Sequence, residues 1–435
     1  VFVTGRLSLL VALGVIPVVL LSAVAAISPW LMAAGWVAAC LLLLSVDVAL
    51  AASTGSILIE RELPARALRD APVEAFLLVA NRGRRRLRGL LRDGWQPTAG
   101  AGTARAVVDV PPGERRRFPM PLHPRRRGEL RTAFVAVRSS GPLGLAGRQG
   151  RIDVPGALRV LPPFTARRHL PSRLARLREL DGNTSLQVRG QGTEFDSLRE
   201  YVRGDDVRSI DWRATARAGT TMLRTWRPER DRHVVIVIDT GRTAAARVGD
   251  GVRLDAAMES ALLLGALATR AGDHVHLVMF DRVVRARVTG YDGPALLPAM
   301  VDAMAPVDAQ LIDTDWEAAM AQVRSLTTRA SLVVLLTAQD AVDSARGFLA
   351  ALPALTARTR VLVGTATDAH SRTADSARTA ETVYLEAATE RAARDAEAVA
   401  EAVRRAGGEV STASADDLPP LIADRYLALK AAGRL

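Results

Sequence analysis

Two apolar runs open the chain. Leu7 to Ile27 carries no charge, and Trp30 to Ala52 carries only Asp47; Ser28-Pro29 alone separates them. A helix of either length spans roughly 31–35 Å, enough for the hydrocarbon core of a bilayer. A two-residue turn forces such helices into a tight hairpin with both ends on one side. Arg6 precedes the first run, and Arg61, Arg66, Arg69, Arg82 and Arg84 to Arg86 follow the second. The positive-inside bias therefore places both termini and the bulk of the chain in the cytoplasm. A cleaved signal peptide is the competing reading, but it calls for a cleavage site before a folded domain, and here a second run follows at once. Asp47 falls about one turn from the cytoplasmic end, where it is expected to reach headgroup water.

From Ile57 to about Phe164 the pattern changes to short alternating runs broken by Pro, Gly and Arg. Val73–Val79, Ala106–Val110 and Leu130–Val137 predict strands, and Asn81-Arg82-Gly83 and Pro111-Pro112-Gly113 predict turns. Strands at this spacing imply a small antiparallel sandwich or barrel. The clusters Arg84–Arg86, Arg115–Arg117 and Arg125–Arg127 read first as solvated loop tips, with anionic lipid or an acidic partner as the alternative.

Residues 166 to 189 are polar and arginine-rich, and read as a connector. The stretch from Gly192 to Arg217 then alternates acids and arginines around large apolar residues: Glu194, Phe195, Arg199, Tyr201, Gly204, Asp205, Asp206, Arg208, Asp211, Trp212 and Arg217. Arginine suits fixed bidentate pairing with carboxylates, so this density predicts an ordered ion-pair network. Phe195, Tyr201, Ile210 and Trp212 are expected to be buried.

A continuous aliphatic strand, His233–Ile238, follows and ends at Asp239-Thr240-Gly241-Arg242-Thr243. Further strands are expected at His274–Phe280, Ser331–Thr337 and Arg360–Thr365. Helices are expected at Leu254–Ala271, Trp316–Leu326, Asp343–Leu352, Thr389–Ala406 and Leu418–Ala431. Aliphatic strands alternating with helices predict a parallel sheet covered on both faces. Ligands of such sheets bind at the carboxyl ends of the strands, where Asp239 falls. The chain thus divides into a helical hairpin (1–54), a β-rich segment (55–165), a connector with the Arg/Asp motif (166–232) and an α/β domain (233–435).

Composition refines this picture. Of 435 residues 49% are hydrophobic, which fits a membrane segment, and the lone Cys40 excludes an internal disulfide framework. The net charge of +12 is carried almost wholly by arginine, Lys430 being the single lysine. With aromatics at only 4% and none interleaved with the arginines, single-strand nucleic-acid binding is disfavoured.

The motif from Gly192 to Arg217, followed by an apolar strand ending in Asp, resembles the bacterial family called domain of unknown function 58. Arg126-Arg127-Gly128 and Gly141-Pro142-Leu143-Gly144-Leu145 resemble that family's middle segment. The resemblance implies a multi-pass protein of the bacterial inner membrane whose last domain is von Willebrand factor A-like. It further implies an adaptor or chaperone-like partner of a MoxR-type AAA+ ATPase, without its own enzymatic activity. Von Willebrand A domains often hold Mg²⁺ through Asp-x-Ser-x-Ser, a later Thr and a later Asp, which are hard oxygen ligands. Asp239, Thr243 and Thr314 match three of these positions, whereas Gly241 and Ala338 stand where a Ser and an Asp belong. The expectation is a degenerate site; Asp340, Asp313 and Asp315 are the candidates to complete it in the alternative reading as a metal-dependent binding protein. A hydrolase of unrecognised type is the third reading. His274-x-His276 has zinc-like spacing but no evident third ligand, and neither a G-x-S-x-G elbow nor a Walker A loop occurs.

Overall fold

A computed structural model describes the chain apart from residues 26–27, 103–104, 188–193, 228–231, 250, 328 and 368–379. It comprises two compact units, Val1–Leu161 and Pro162–Leu435.

The first unit begins with strand β1 (Phe2–Val3) and helices α1 (Gly5–Leu13), α2 (Val15–Ala25) and α3 (Pro29–Leu50). Pro29 at the first helical turn starts α3, where a missing N–H costs nothing. The apolar stretch Pro29–Ser56 is long enough to cross a bilayer, which makes this end of the chain compatible with membrane association. The first run is not one continuous helix as expected: it divides at Gly14, and its shorter apolar helix covers Gly5–Leu20. A β-carbon on Gly14 would lie 1.9 Å from Trp36 Nε1, so glycine is what lets this turn meet α3. Leu9, Leu13, Ile16, Leu20, Leu31 and Leu42 stay exposed, as on helices that face an apolar solvent.

The β-rich part contains β2 (Ile57–Glu62), β3 (Arg66–Leu68), β4 (Phe76–Asn81), β5 (Leu87–Asp93), β6 (Arg105–Val110), β7 (Arg115–Pro119), β8 (Gly128–Ser140) and β9 (Ala146–Leu161). They form one sheet ordered β1-β9-β8-β5-β6, with β3 also on β9, and a second ordered β2-β4-β7. Ile59, Leu77 and Val79 of the smaller sheet share one core with Leu91, Val108, Val137 and Leu158 of the larger. Period-two burial along β8 shows why the alternating pattern was readable there. Arg115–Arg117 are not loop tips: they lie in β7, where Arg115 pairs with Glu60 (2.5 Å), Arg117 with Glu62 (2.9 Å) and Arg116 with Glu114 (2.7 Å). Arg127 is buried. Inside the core, Arg61 pairs with Asp93, whose carboxylate also accepts from Trp95 Nε1 (2.8 Å).

Asp47 does not reach toward headgroup water as expected. Its side chain is fully buried and accepts the backbone N–H groups of Leu143 (2.8 Å), Leu145 (2.7 Å) and Ala146 (2.9 Å). The turn Gly141-Pro142-Leu143-Gly144-Leu145 is therefore a socket for the end of α3. Gly144 has φ +68, and Thr4 Oγ1 donates to its carbonyl at 2.6 Å.

In the second unit, residues 166–187 are no loose connector. A 3₁₀ turn (Thr165–His169) leads into α4 (Leu170–Gln187), which places Leu177 in the core. Next come β10 (Glu194–Glu200), α5 (Trp212–Ala218) and β11 (Met222–Arg227), a small module in which β10 and β11 pair antiparallel. The rest comprises β12 (His233–Asp239), β13 (Arg247–Val248), β14 (Gly251–Val252), α6 (Arg253–Arg270), β15 (His274–Phe280), β16 (Val284–Val288), α7 (Leu296–Met304), α8 (Trp316–Leu326), β17 (Ala330–Leu336), α9 (Arg346–Ala351), α10 (Pro353–Thr356), β18 (Arg360–Ala366), α11 (Ala380–Arg405), β19 (Glu409–Ala413) and α12 (Leu418–Ala431). The main sheet runs β16-β15-β12-β17-β18-β19, parallel except for β16. Val234, Ile236 and Ile238 pack under α6, α7 and α12, while Val235 and Val237 face α8, α9 and α11. Strands covered on both faces explain the unbroken aliphatic runs. The single lysine, Lys430, is nearly buried against Asp273 (3.2 Å), which also accepts from Tyr426 (2.5 Å).

Candidate functional site

Strand β12 is central: the chain continues from it to β15 on one side and reaches β17 on the other. The crevice at such a reversal, outside the carboxyl ends of the strands, is where open α/β sheets hold ligands. Asp239, the last residue of β12, is buried there. The structure brings the three sequence-derived residues together. Thr314 donates to Asp239 Oδ1 at 2.5 Å and Thr243 to Oδ2 at 3.3 Å. Two further donors complete the set: the Gly241 N–H to Oδ1 (2.8 Å) and Thr337 Oγ1 to Oδ2 (2.6 Å). Thr337 was missed because the pattern sought a carboxylate after it; its position just past β17, beside β12, was the available signal. Burial pushes the Asp239 carboxyl up from its usual range, against the pull of these four hydrogen bonds.

This donor set does not fit a hard divalent cation. A single carboxylate is present, and both its oxygens already accept hydrogen bonds. A β-carbon on Gly241 would lie 2.3 Å from Thr314 Oγ1, so the residue standing in the expected serine position is what lets Thr314 reach Asp239. The candidate replacement acids are engaged elsewhere. Asp340 pairs with Arg253 (2.7 Å), Asp313 with Arg242 (2.5 Å), and Asp315 caps α8 through the Ala318 N–H (3.0 Å). Ala338 is buried and offers no side-chain oxygen. The crevice beside Asp239, bounded by Arg253, Thr337 and Leu418, holds about 10 Å³, the space of one water.

The second constellation is the Arg/Asp motif. Gly192 lies outside the described residues, as do the side chains of Glu194 and Phe195. Arg199 grips Asp205 with two bonds of 2.7 Å, and Asp205 also accepts from the Val202 N–H (2.9 Å). Gly204, at φ +112, supplies the left-handed turn this closure needs. Asp206 accepts from the Arg208 N–H (3.0 Å). Asp211 caps α5 through the N–H groups of Arg213 and Ala214 and pairs with Arg224 at 2.7 Å. The backbone bond from Ala214, then Arg224, holds its carboxyl below the usual range. Arg217 sits in the last turn of α5, where a cation complements the helix dipole. Of the expected ion pairs the described residues show Arg199 with Asp205 inside the motif and Asp211 with Arg224 beyond it, two separate pairs and not a network, and the expected burial is not uniform. Tyr201 and Ile210 are half-buried, whereas Trp212 is 70% exposed.

The histidine pair gains a third ring. His233 Nδ1 lies 2.9 Å from His276 Nε2, His233 stacks on His274, and His274 Nδ1 lies 2.9 Å from Asp292. No group of three or more metal-capable side chains converges among the described residues. Burial, then His233 and His274, push the His276 imidazole below its ordinary 6.5. The unfolded chain therefore takes up this proton first as pH falls, and stability declines below about pH 6.5. His276→Asn is expected to flatten that decline; thermal midpoints compared at about pH 7.5 and about pH 5.5 check it.

Two solved structures that match the chain do so at low similarity. One is the complex of Zinc 2-glycoprotein and Prolactin inducible protein from human seminal plasma, at 14% identity over 24% of this chain and 93% of the other, with a TM-score of 0.18. Another is the beta-glucosidase from Listeria innocua in complex with glucose, at 13% identity over 23% and 16%, with a TM-score of 0.16. Scores so low carry no argument. No curated protein matches the chain. Residues 197–406, from within the Arg/Asp motif to just past the end of α11, match the family described as Protein of unknown function DUF58, and it is this family that the chain is similar to.

Proposed function

We propose that the chain is a membrane-anchored protein-interaction module, an adaptor or chaperone-like partner of a MoxR-type AAA+ ATPase. In this reading the N-terminal helices form a two-span anchor in a bacterial inner membrane. The α/β unit would then be a von Willebrand factor A-like domain working in the cytoplasm. One observation carries the preference for docking over chemistry. At the sheet position where ligands normally bind, Asp239 is closed by four donors from its own chain, and the adjoining crevice admits about one water. A fold whose ligand crevice is filled by its own hydroxyls is suited to present surface, not to turn over substrate.

The test is association of the full chain, in neutral-lipid nanodiscs, with a purified MoxR-type ATPase of the same organism. Binding and a change of at least about twofold in ATP hydrolysis are expected. The reading falls if neither is seen with or without nucleotide.

A further inference from the structure

The motif module leaves one part of itself uncovered. Its acids are largely spent on its own fold: Asp205 on Arg199, Asp211 on Arg224 and the α5 cap, and Asp206 on a turn N–H. Its arginines are not. Arg203, Arg208, Arg213 and Arg217 are all exposed, and none is ion-paired with a described residue. Glu200 and Asp206 are the exposed acids within that stretch, so cationic charge is in excess. Among these arginines stand Trp212 (70% exposed), Val202 (62%) and Val207 (61%). A tryptophan and two valines in water are unfavourable for a free surface, and Trp with Arg is the pairing most enriched at protein–protein hot spots.

We propose that the exposed surface of this module, which carries Trp212 and the four arginines, docks an acidic protein surface with an apolar notch for the indole. The proposal rests on the adaptor reading and assigns that acidic surface to the ATPase. Charge complementarity selects the partner's sign, and the indole supplies the anchor. A nucleic-acid strand would call for successive stacking rings, and among the described residues of this module Trp212 alone exposes one. At seven residues α5 is too short to lie along a membrane as an amphipathic helix.

The test uses the full chain in neutral-lipid nanodiscs against the purified MoxR-type ATPase. Trp212→Ala is expected to weaken binding by roughly thirtyfold or more, and Trp212→Phe to restore part of it. Arg208→Glu with Arg213→Glu is expected to slow association roughly tenfold and flatten its salt dependence. Tyr384→Ala, an exposed ring on α11, is expected to change nothing. Because Trp212 is mostly exposed, unchanged thermal midpoints are expected for its variants. ATPase binding that ignores both Trp212 and the arginines overturns this face while leaving the adaptor reading intact. No binding by the wild-type chain removes both. Trp212-dependent self-association seen by light scattering, or Trp212-dependent capture on phosphatidylglycerol vesicles without ATPase sensitivity, assigns the face to a second copy or to lipid and likewise overturns it.

Discussion

Asp47→Ala is expected to destabilise the first unit by about 4 kcal/mol, the loss that follows when several buried donors lose their acceptor. The carboxylate is fully buried and accepts three backbone N–H groups at 2.7–2.9 Å. The damage should be local before it is global. Amide exchange at Leu143, Leu145 and Ala146 should accelerate more than exchange in β5 or β6, and the thermal midpoint in nanodiscs should fall. Asp47→Asn keeps one acceptor oxygen but turns two donors toward the remaining N–H groups, so it should recover only part of the loss. Gly141→Ala should reproduce the defect from the other side, since its β-carbon would lie 2.1 Å from Asp47 Oδ1. Unchanged exchange in Asp47→Ala would mean that the socket does not hold the end of α3.

Asp47 also shows where local pattern stops being informative. Its place near the end of an apolar run suggests headgroup water, yet its partners lie 96 to 99 residues away. The only signal was the turn Gly141-Pro142-Leu143-Gly144, whose glycines free N–H groups to converge on an anion, and a turn does not reveal which anion. By contrast β12, β15, β17 and β18 were legible because central parallel strands carry largely apolar runs. The edges β16 and β19 were not: Val284–Val288 carries two arginines and Glu409–Ala413 is half polar, as edge strands tend to be. Strand β9 hid for another reason. It contains Gly147, Gly150, Gly156 and Pro155, residue types that weaken a strand pattern, but a β-carbon on Gly147 would lie 2.2 Å from the Ser139 carbonyl oxygen, so glycine there serves a close approach within the sheet.

The Arg/Asp motif was legible as a source of ion pairs and not as a surface. The spacing of Arg199, Asp205 and Asp211 announces pairing, and the pairing is found. Trp212 was expected inside because large aromatic rings usually are. It stands at the first position of α5, and Asp211 before it is committed to capping the helix and pairing with Arg224. The cap fixes where the helix starts and so turns the indole outward. Side-chain chemistry that fastens a backbone can thus set what the fold presents to solvent, a consequence that hydrophobicity alone does not contain.

The second large effect is expected at Asp239. Asp239→Ala removes the acceptor shared by the Gly241 N–H and the hydroxyls of Thr243, Thr314 and Thr337. Hydroxyls can rotate toward other acceptors but the backbone N–H cannot, so the expected cost is about 3 kcal/mol. Asp239→Asn, whose amide can still accept from Gly241 and donate to a turned hydroxyl, should cost less. The acid–base sign follows from burial, which raises this carboxyl above its ordinary 3.8 in the folded chain. The folded state then holds the proton more readily than the unfolded one, so this group supports folding at low pH. Its contribution fades as pH rises through the folded value. Asparagine should remove that slope, which denaturant titrations of the two proteins between about pH 3.5 and about pH 7 would reveal. Calorimetric titration of the wild type with Mg²⁺ should show no saturable heat. Micromolar binding that disappears in Asp239→Ala would reopen the closed crevice, and the case for a purely docking fold would go with it.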